Sequence, residues 1–172
     1  MLDEKRIMHV DTSRQFYERA DTGIAFKIVK SREHGGLVLS NKLKRELDKN
    51  IKSYENYSKL YAICIYNLIK DNLKIFDILV ICEDENFNKT KQYLGALFRN
   101  NSEYFNKQVI SIRELRELSG NMKLRSYADS IANVYRRKAL KPLYRRQRGI
   151  PLNLVTLGYK TIVEQWGLLD KS

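Results

Sequence analysis

The chain has 172 residues, 43% of them apolar and 30% charged, with 8 Gly and 2 Pro. That suffices for one domain with a sizeable core, is too little for two ordinary ones, and excludes disordered, collagenous and low-complexity classes. Lys and Arg number 32 against 20 Asp and Glu, a net charge of +12, so the molecule's own field favours an acidic partner such as nucleic acid.

The excess charge is uneven, with 23 basic and 18 acidic residues in positions 1–129 but 9 and 2 in 130–172. No apolar segment follows the polar start at residues 1–6, and the apolar run at 61–66 is far too short to span a bilayer. A cytoplasmic protein without a membrane partner is therefore expected. Cys64 and Cys82 sit in apolar stretches without CxxC or Cys/His spacing, which predicts buried free thiols rather than zinc ligands.

In chain order, 7–10 reads as a short strand ending at Asp11, 23–30 as a second, and 37–39 as a third after a turn at Gly35-Gly36. The spacing then becomes helical, first through Leu43 and Leu47, then with Tyr57, Leu60, Tyr61, Cys64 and Leu68 on one stripe. Residues 75–82 are nearly all apolar, as in a strand covered on both faces. Asn86 or Asn88 can cap the next helix, whose apolar positions are Tyr93, Leu94, Leu97 and Phe98. A strand at 109–112, a loop or short helix at 113–122, and a helix over 126–141 with Tyr127, Ile131, Val134 and Tyr135 on one face follow, stopped by Pro142. Beyond it lie a basic linker, a β-prone stretch at 152–157, and a helix around 159–169 anchored by Trp166. The order β-β-β-α-β-α-β-α predicts an α/β protein with a five-stranded mixed sheet, three antiparallel strands then two parallel ones, flanked by helices.

Three acids occupy awkward positions: Asp11 ends the first strand, Asp84 ends the buried fourth, and Asp129 stands among apolar residues early in the helix at 126–141. With the first and fourth strands adjacent, these carboxylates meet at one sheet edge, with Glu83 as a rival to Asp84. Clustered carboxylates repel unless a divalent cation neutralises them, and hard oxygen donors suit Mg²⁺ or Mn²⁺. Two such ions about 3.5–4 Å apart are a known device for phosphodiester cleavage. Taken singly, each acid also has a structural reading as a strand end, a turn residue or a first-turn helix acid.

The segments His9-Val10-Asp11-Thr12-Ser13, Ile81-Cys82-Glu83-Asp84-Glu85 and Ser126-Tyr127-Ala128-Asp129-Ser130-Ile131-Ala132-Asn133 carry these acids in the right elements and order. In this the chain resembles the ribonuclease H family, within the ribonuclease H-like superfamily. The resemblance implies a ribonuclease H-like domain over residues 1–141, followed by a basic C-terminal extension over 142–172. It also implies metal-dependent endonucleolytic hydrolysis, of the RNA strand of an RNA–DNA hybrid first of all, with Asp11, Asp84 and Asp129 as catalytic metal ligands.

The chain departs from the family at two points. Lys59 stands where the family's first helix carries a metal-binding glutamate, so Glu55, one turn earlier, or Glu46 would have to supply that oxygen. No histidine follows the fifth strand, the two in the chain being His9, read as a structural imidazole, and His34, read as a loop residue. A junction-resolving DNA nuclease of the same superfamily and a catalytically silent nucleic-acid-binding protein are the alternatives. Arg136, Arg137, Lys138, Lys141, Arg145, Arg146 and Arg148, with Tyr135 and Tyr144 interleaved and no acid between Asp129 and Glu164, form the expected phosphate-binding run. Lys59 is expected to contact nucleic acid with them.

Overall fold

The computed structural model describes residues 2–51, 57–138 and 153–171. Strands β1 (Ile7–Ser13), β2 (Thr22–Ile28) and β3 (His34–Leu39) form an antiparallel meander. Strands β4 (Ile78–Ile81) and β5 (Gln108–Ser111) add in parallel on the other side of β1, giving the order β3-β2-β1-β4-β5. The helices are α1 (Asn41–Ile51), α2 (Tyr57–Ile69), α3 (Phe87–Leu97), the single turn α4 (Ser102–Phe105), α5 (Ile112–Ser119), α6 (Asp129–Lys138) and α7 (Tyr159–Asp170). The α/β class and the mixed sheet are those read from the sequence. None of the helices among the described residues is long and apolar enough to cross a membrane.

One face of the sheet carries the main core. Met8, Val10, Ile24, Phe26, Leu37 and Leu79 join Leu60, Ile63 and Cys64 of α2 in one apolar cluster. α2 packs against β2, β3, α3 and α7 and is buried from Ser58 to Ile65, so it presents no wet stripe at all. α7 places Ile162, Trp166 and Leu169 in the same cluster, a spacing of one buried position per turn. The expected boundary at 141/142 therefore does not separate two cores, because residues 157–169 complete the first one. Of the β-prone stretch at 152–157, Leu154 forms a parallel bridge to Gly36, while 152 lies outside the described residues.

α6 covers β2 and β3 on the opposite face, and small residues let it come close. A Cβ on Gly23 would lie 2.4 Å from the Ala132 carbonyl, and one on Gly36 would lie 2.5 Å from the Tyr135 ring. Gly35-Gly36 is thus strand interior rather than the expected turn, the missing side chain of Gly35 making room for the Phe26 ring and that of Gly36 for α6. The reversal comes earlier, where Lys30 takes a left-handed φ of 58°. For the same reason His34 belongs to β3, buried, with Nδ1 3.0 Å from the Tyr135 hydroxyl.

Elsewhere the elements follow their local signals. Asn86 caps α3 by accepting from the Lys89 amide, and Ser111 with Glu114 forms a capping box on α5, which Gly120 ends at φ 67°. α5 thus takes up most of the expected loop or short helix at 113–122. Both cysteines are free and buried, as expected.

Candidate functional site

β1 continues three residues past the ladder it shares with β4, whose last pair is Val10 with Ile81, and the Cys82 amide donates to the Val10 carbonyl at 3.1 Å. This brings Asp11, 8% exposed, beside the turn that follows β4. Asp84 in that turn is fixed by two donors, the Thr12 hydroxyl at 2.7 Å and the Gln15 amide at 3.3 Å. The carboxyl groups of Asp11 and Asp84 are hydrogen-bonded to each other, while the Cys82 side chain and the Thr12 amide also bond Asp11. Of the two rival acids after β4, Asp84 is the one that meets Asp11.

Two carboxylates in contact in a buried place cannot both ionise freely. Burial first, then the charge of Asp84, pushes the Asp11 carboxyl up to about 7. Glu85 is also pushed up to about 7, by burial and then by Asp84. The end of β1 and β4 thus carries carboxyl groups that exchange their protons near neutral pH, in a strongly basic molecule.

α6 closes the pocket from the second face. Arg136 Nε donates to the Ser13 hydroxyl at 2.8 Å and its terminal nitrogen donates to Asn133 Oδ1 at 2.8 Å, while Ser13 Oγ lies 3.4 Å from the same Asn133 oxygen. Residues 129, 133 and 136 recur at helical spacing and share one stripe, so Asp129 stands one turn N-terminal of this anchor, exposed at the first position of α6. The structure brings Asp11 and Asp84 together without joining Asp129 to them: among the described residues no three His, Cys, Asp or Glu side chains are grouped so as to hold a metal ion.

On the core side of the sheet α2 carries Tyr61, within reach of the field of these acids. It is fully buried, its hydroxyl has no hydrogen-bond partner among the described residues, and after burial the fields of Cys82, Asp11 and Asp84 hold its proton on. Lys59 does not take up the nucleic-acid contact expected of it. It is 5% exposed, ion-paired with Asp170 of α7 and set 4.8 Å from the centre of the Trp166 ring and 5.5 Å from that of Tyr93. It therefore neither faces the carboxylates nor lies open to nucleic acid. α2 is apolar on every side, so periodicity alone does not orient it, and a sequence match could not tell position 59 from 61.

The other expected residues divide three ways. Arg136 belongs to the pocket wall, Arg137 is exposed and Lys138 half-exposed. Tyr135 is core, not a stacking platform, since its hydroxyl accepts from the Asn153 amide at 2.8 Å and meets His34. Glu46 is exposed on α1. Glu55, Lys141, Tyr144, Arg145, Arg146 and Arg148 lie outside the described residues. His9 keeps its structural role, accepting from the Tyr127 amide at 3.4 Å, and burial lowers it to about 4, so it stays neutral.

The donor set is two carboxylates, Asp11 and Asp84, of the kind a hard divalent cation takes, with no third Asp, Glu, His or Cys grouped with them among the described residues. It does not by itself supply the ligands of a second. Sequence reasoning placed Arg136 in the phosphate-binding run but missed Asn133, which orients it; the spacing of 133 and 136 from Asp129 was the available signal. Searches against protein-family models, curated proteins and solved structures found no match to this chain.

Proposed function

We propose that this chain is a metal-dependent nuclease of ribonuclease H type, hydrolysing phosphodiester bonds in nucleic acid, with the RNA strand of an RNA–DNA hybrid as the first substrate to test. The observation that carries the reading is the contact of Asp11 with Asp84 at the carboxyl ends of two parallel neighbours in the middle of a mixed sheet. Structural carboxylates are usually kept apart or paired with cations; here a buried one and a half-buried one meet, an arrangement that a divalent cation stabilises.

In this reading Asp11 and Asp84 hold Mg²⁺ or Mn²⁺, which supplies Lewis-acid stabilisation of charge on the phosphoryl group. Thr12 and Gln15 orient Asp84 through their hydrogen bonds. Arg136, tethered to Ser13 beside the pocket, offers a phosphate a fixed guanidinium. Asp129, on the same stripe of α6, would be the third carboxylate of the set.

The test is a cleavage assay on RNA–DNA hybrid, double-stranded RNA, duplex DNA and a four-way junction, in Mg²⁺, Mn²⁺ or EDTA, with Asp11→Asn alongside. Metal-dependent cutting of one substrate, lost in the variant, is the expected result, and an unchanged rate in Asp11→Asn overturns the assignment. Paired cuts in the junction alone would make it a resolving enzyme. The separation of Asp129 from the pair and the burial of Lys59 favour a second reading, a nucleic-acid-binding protein without turnover. Tight binding with no cutting in any metal would establish that instead.

A further inference from the structure

The loop joining α5 to α6 has features that neither the core nor the carboxylate pocket explains. It is held rigidly: Arg116 Nε donates to the Leu124 carbonyl at 2.8 Å, the Leu124 amide donates to the Asn121 carbonyl at 3.1 Å, and the Lys123 amide donates to the Asn121 side chain at 3.2 Å. Leu124 packs on the cluster of Ile78, Val80 and Cys82, and Ala128 is fully buried. Yet between these anchors Met122 is 66% and Tyr127 53% exposed. A fixed backbone that presents large apolar side chains to water marks a contact surface more than a fold requirement.

The charge around it selects the partner. No acid occurs from Leu118 to Ala128, while Lys123 and Arg125 are both exposed. Neither pairs with a carboxylate among the described residues. An exposed aromatic flanked by unpaired cations is the composition that takes a base on the ring and phosphates on either side. The loop also reaches the pocket, since Ser126 hydrogen-bonds Cys82, itself bonded to Asp11, and the Tyr127 ring meets His9 edge-on at 5.2 Å.

We propose that residues 120–128 form a second nucleic-acid contact beside the carboxylate pocket, in which Tyr127 stacks on an unpaired base and Lys123 and Arg125 hold the flanking phosphates. The inference rests on the nucleic-acid reading of the pocket and adds a preference for substrates that offer an unstacked base near the bond to be cut. Arginine and lysine alone would bind any duplex; the ring distinguishes a strand with an accessible base.

The experiment is fluorescence anisotropy with the full chain in EDTA, on a labelled RNA–DNA hybrid with or without a short single-stranded overhang, across a salt series. Tyr127→Ala is expected to lose about ten-fold in affinity for the overhang substrate and little for the blunt one, with Tyr127→Phe near the parent. Lys123→Gln with Arg125→Gln is expected to lower the slope of log affinity against log salt by about two. Circular dichroism melts confirm that each variant is folded. If the parent binds hybrid but the loop variants bind both substrates equally well, the loop assignment fails and the pocket reading stands. If the parent binds no nucleic acid, the reading beneath it fails. Binding to phosphatidylserine vesicles that Tyr127→Ala abolishes, with hybrid affinity intact, overturns the choice of partner.

Discussion

Along β1 the side chains alternate between two different environments. Met8 and Val10 enter a cluster with Ile24, Phe26, Leu60 and Leu79, where each buried aliphatic side chain contributes about 1.5–3 kcal/mol relative to exposure. His9, Asp11 and Ser13 meet Tyr127, Cys82, Asn133 and Arg136 on the other face, where the apolar cluster under α6 is small, Ala25, Ile131, Ala132 and Tyr135. One face thus supplies stability and leaves the other free to bury groups that cost stability. A pair of touching carboxyls is tolerable at the sheet edge because the core behind it does not depend on it.

The largest effect that would break this comparison is in the core. Leu60→Ala, in the middle of the main cluster, is expected to destabilise by about 2–5 kcal/mol. Ile131→Ala, in the smaller cluster and 8% exposed, is expected to cost about 2 kcal/mol, the low end of that range. Urea denaturation of the two variants checks the order. Equal losses would mean that α6 is as much a part of the stabilising core as α2.

A second, smaller effect sharpens it through pH. Asp11 is held near 7 in the fold against an ordinary value of 3.8, so between about 4 and 7 the folded state binds more protons than the unfolded one, and stability falls as pH rises. His9, lowered to about 4 from 6.5, acts in the opposite sense, its contribution falling as pH drops from about 6.5 to 4. Asp11→Asn removes the first effect only. It is expected to be more stable than the parent by about 1–3 kcal/mol above pH 7, with the gap closing towards pH 4. Mg²⁺ should raise the parent's melting temperature above pH 7 and leave that of Asp11→Asn unchanged. A constant gap across the range would mean that Asp11 does not titrate as its contacts require.

The same contrast explains what could be read in advance. Strands and helices with a repeating pattern were legible, including the buried run that became β4 and the α7 stripe ending at Trp166 and Leu169. So was the meeting of Asp11 with Asp84, because strand order puts both at one edge. What was not legible depended on one element approaching another. Gly35-Gly36 carries a turn signal locally, and only the arrival of Tyr135 shows why glycine is needed inside β3. Tyr127 and Tyr135 have the same helical spacing, yet one is exposed and the other buried, because the first precedes the helix and bends over His9.

Lys59 provides the smallest effect and separates resemblance from geometry. Its partner Asp170 has a side chain 58% exposed, so the ion pair is screened on one side and contributes little, and the aliphatic stem already packs among Tyr93 and Trp166. Lys59→Met, similar in volume and leaving Asp170 to water, is expected to change stability by less than about 1 kcal/mol. Its hybrid affinity and salt slope should equal the parent's, measured as for the loop variants. Lys59→Glu, which would place there the glutamate that the resemblance implies, sets a carboxylate against Asp170. It is expected to destabilise the fold and to leave metal-dependent cleavage no faster, because the side chain at position 59 is held against α7. A gain of cleavage in Lys59→Glu would show that α2 rotates when the metal binds, bringing 59 into the pocket.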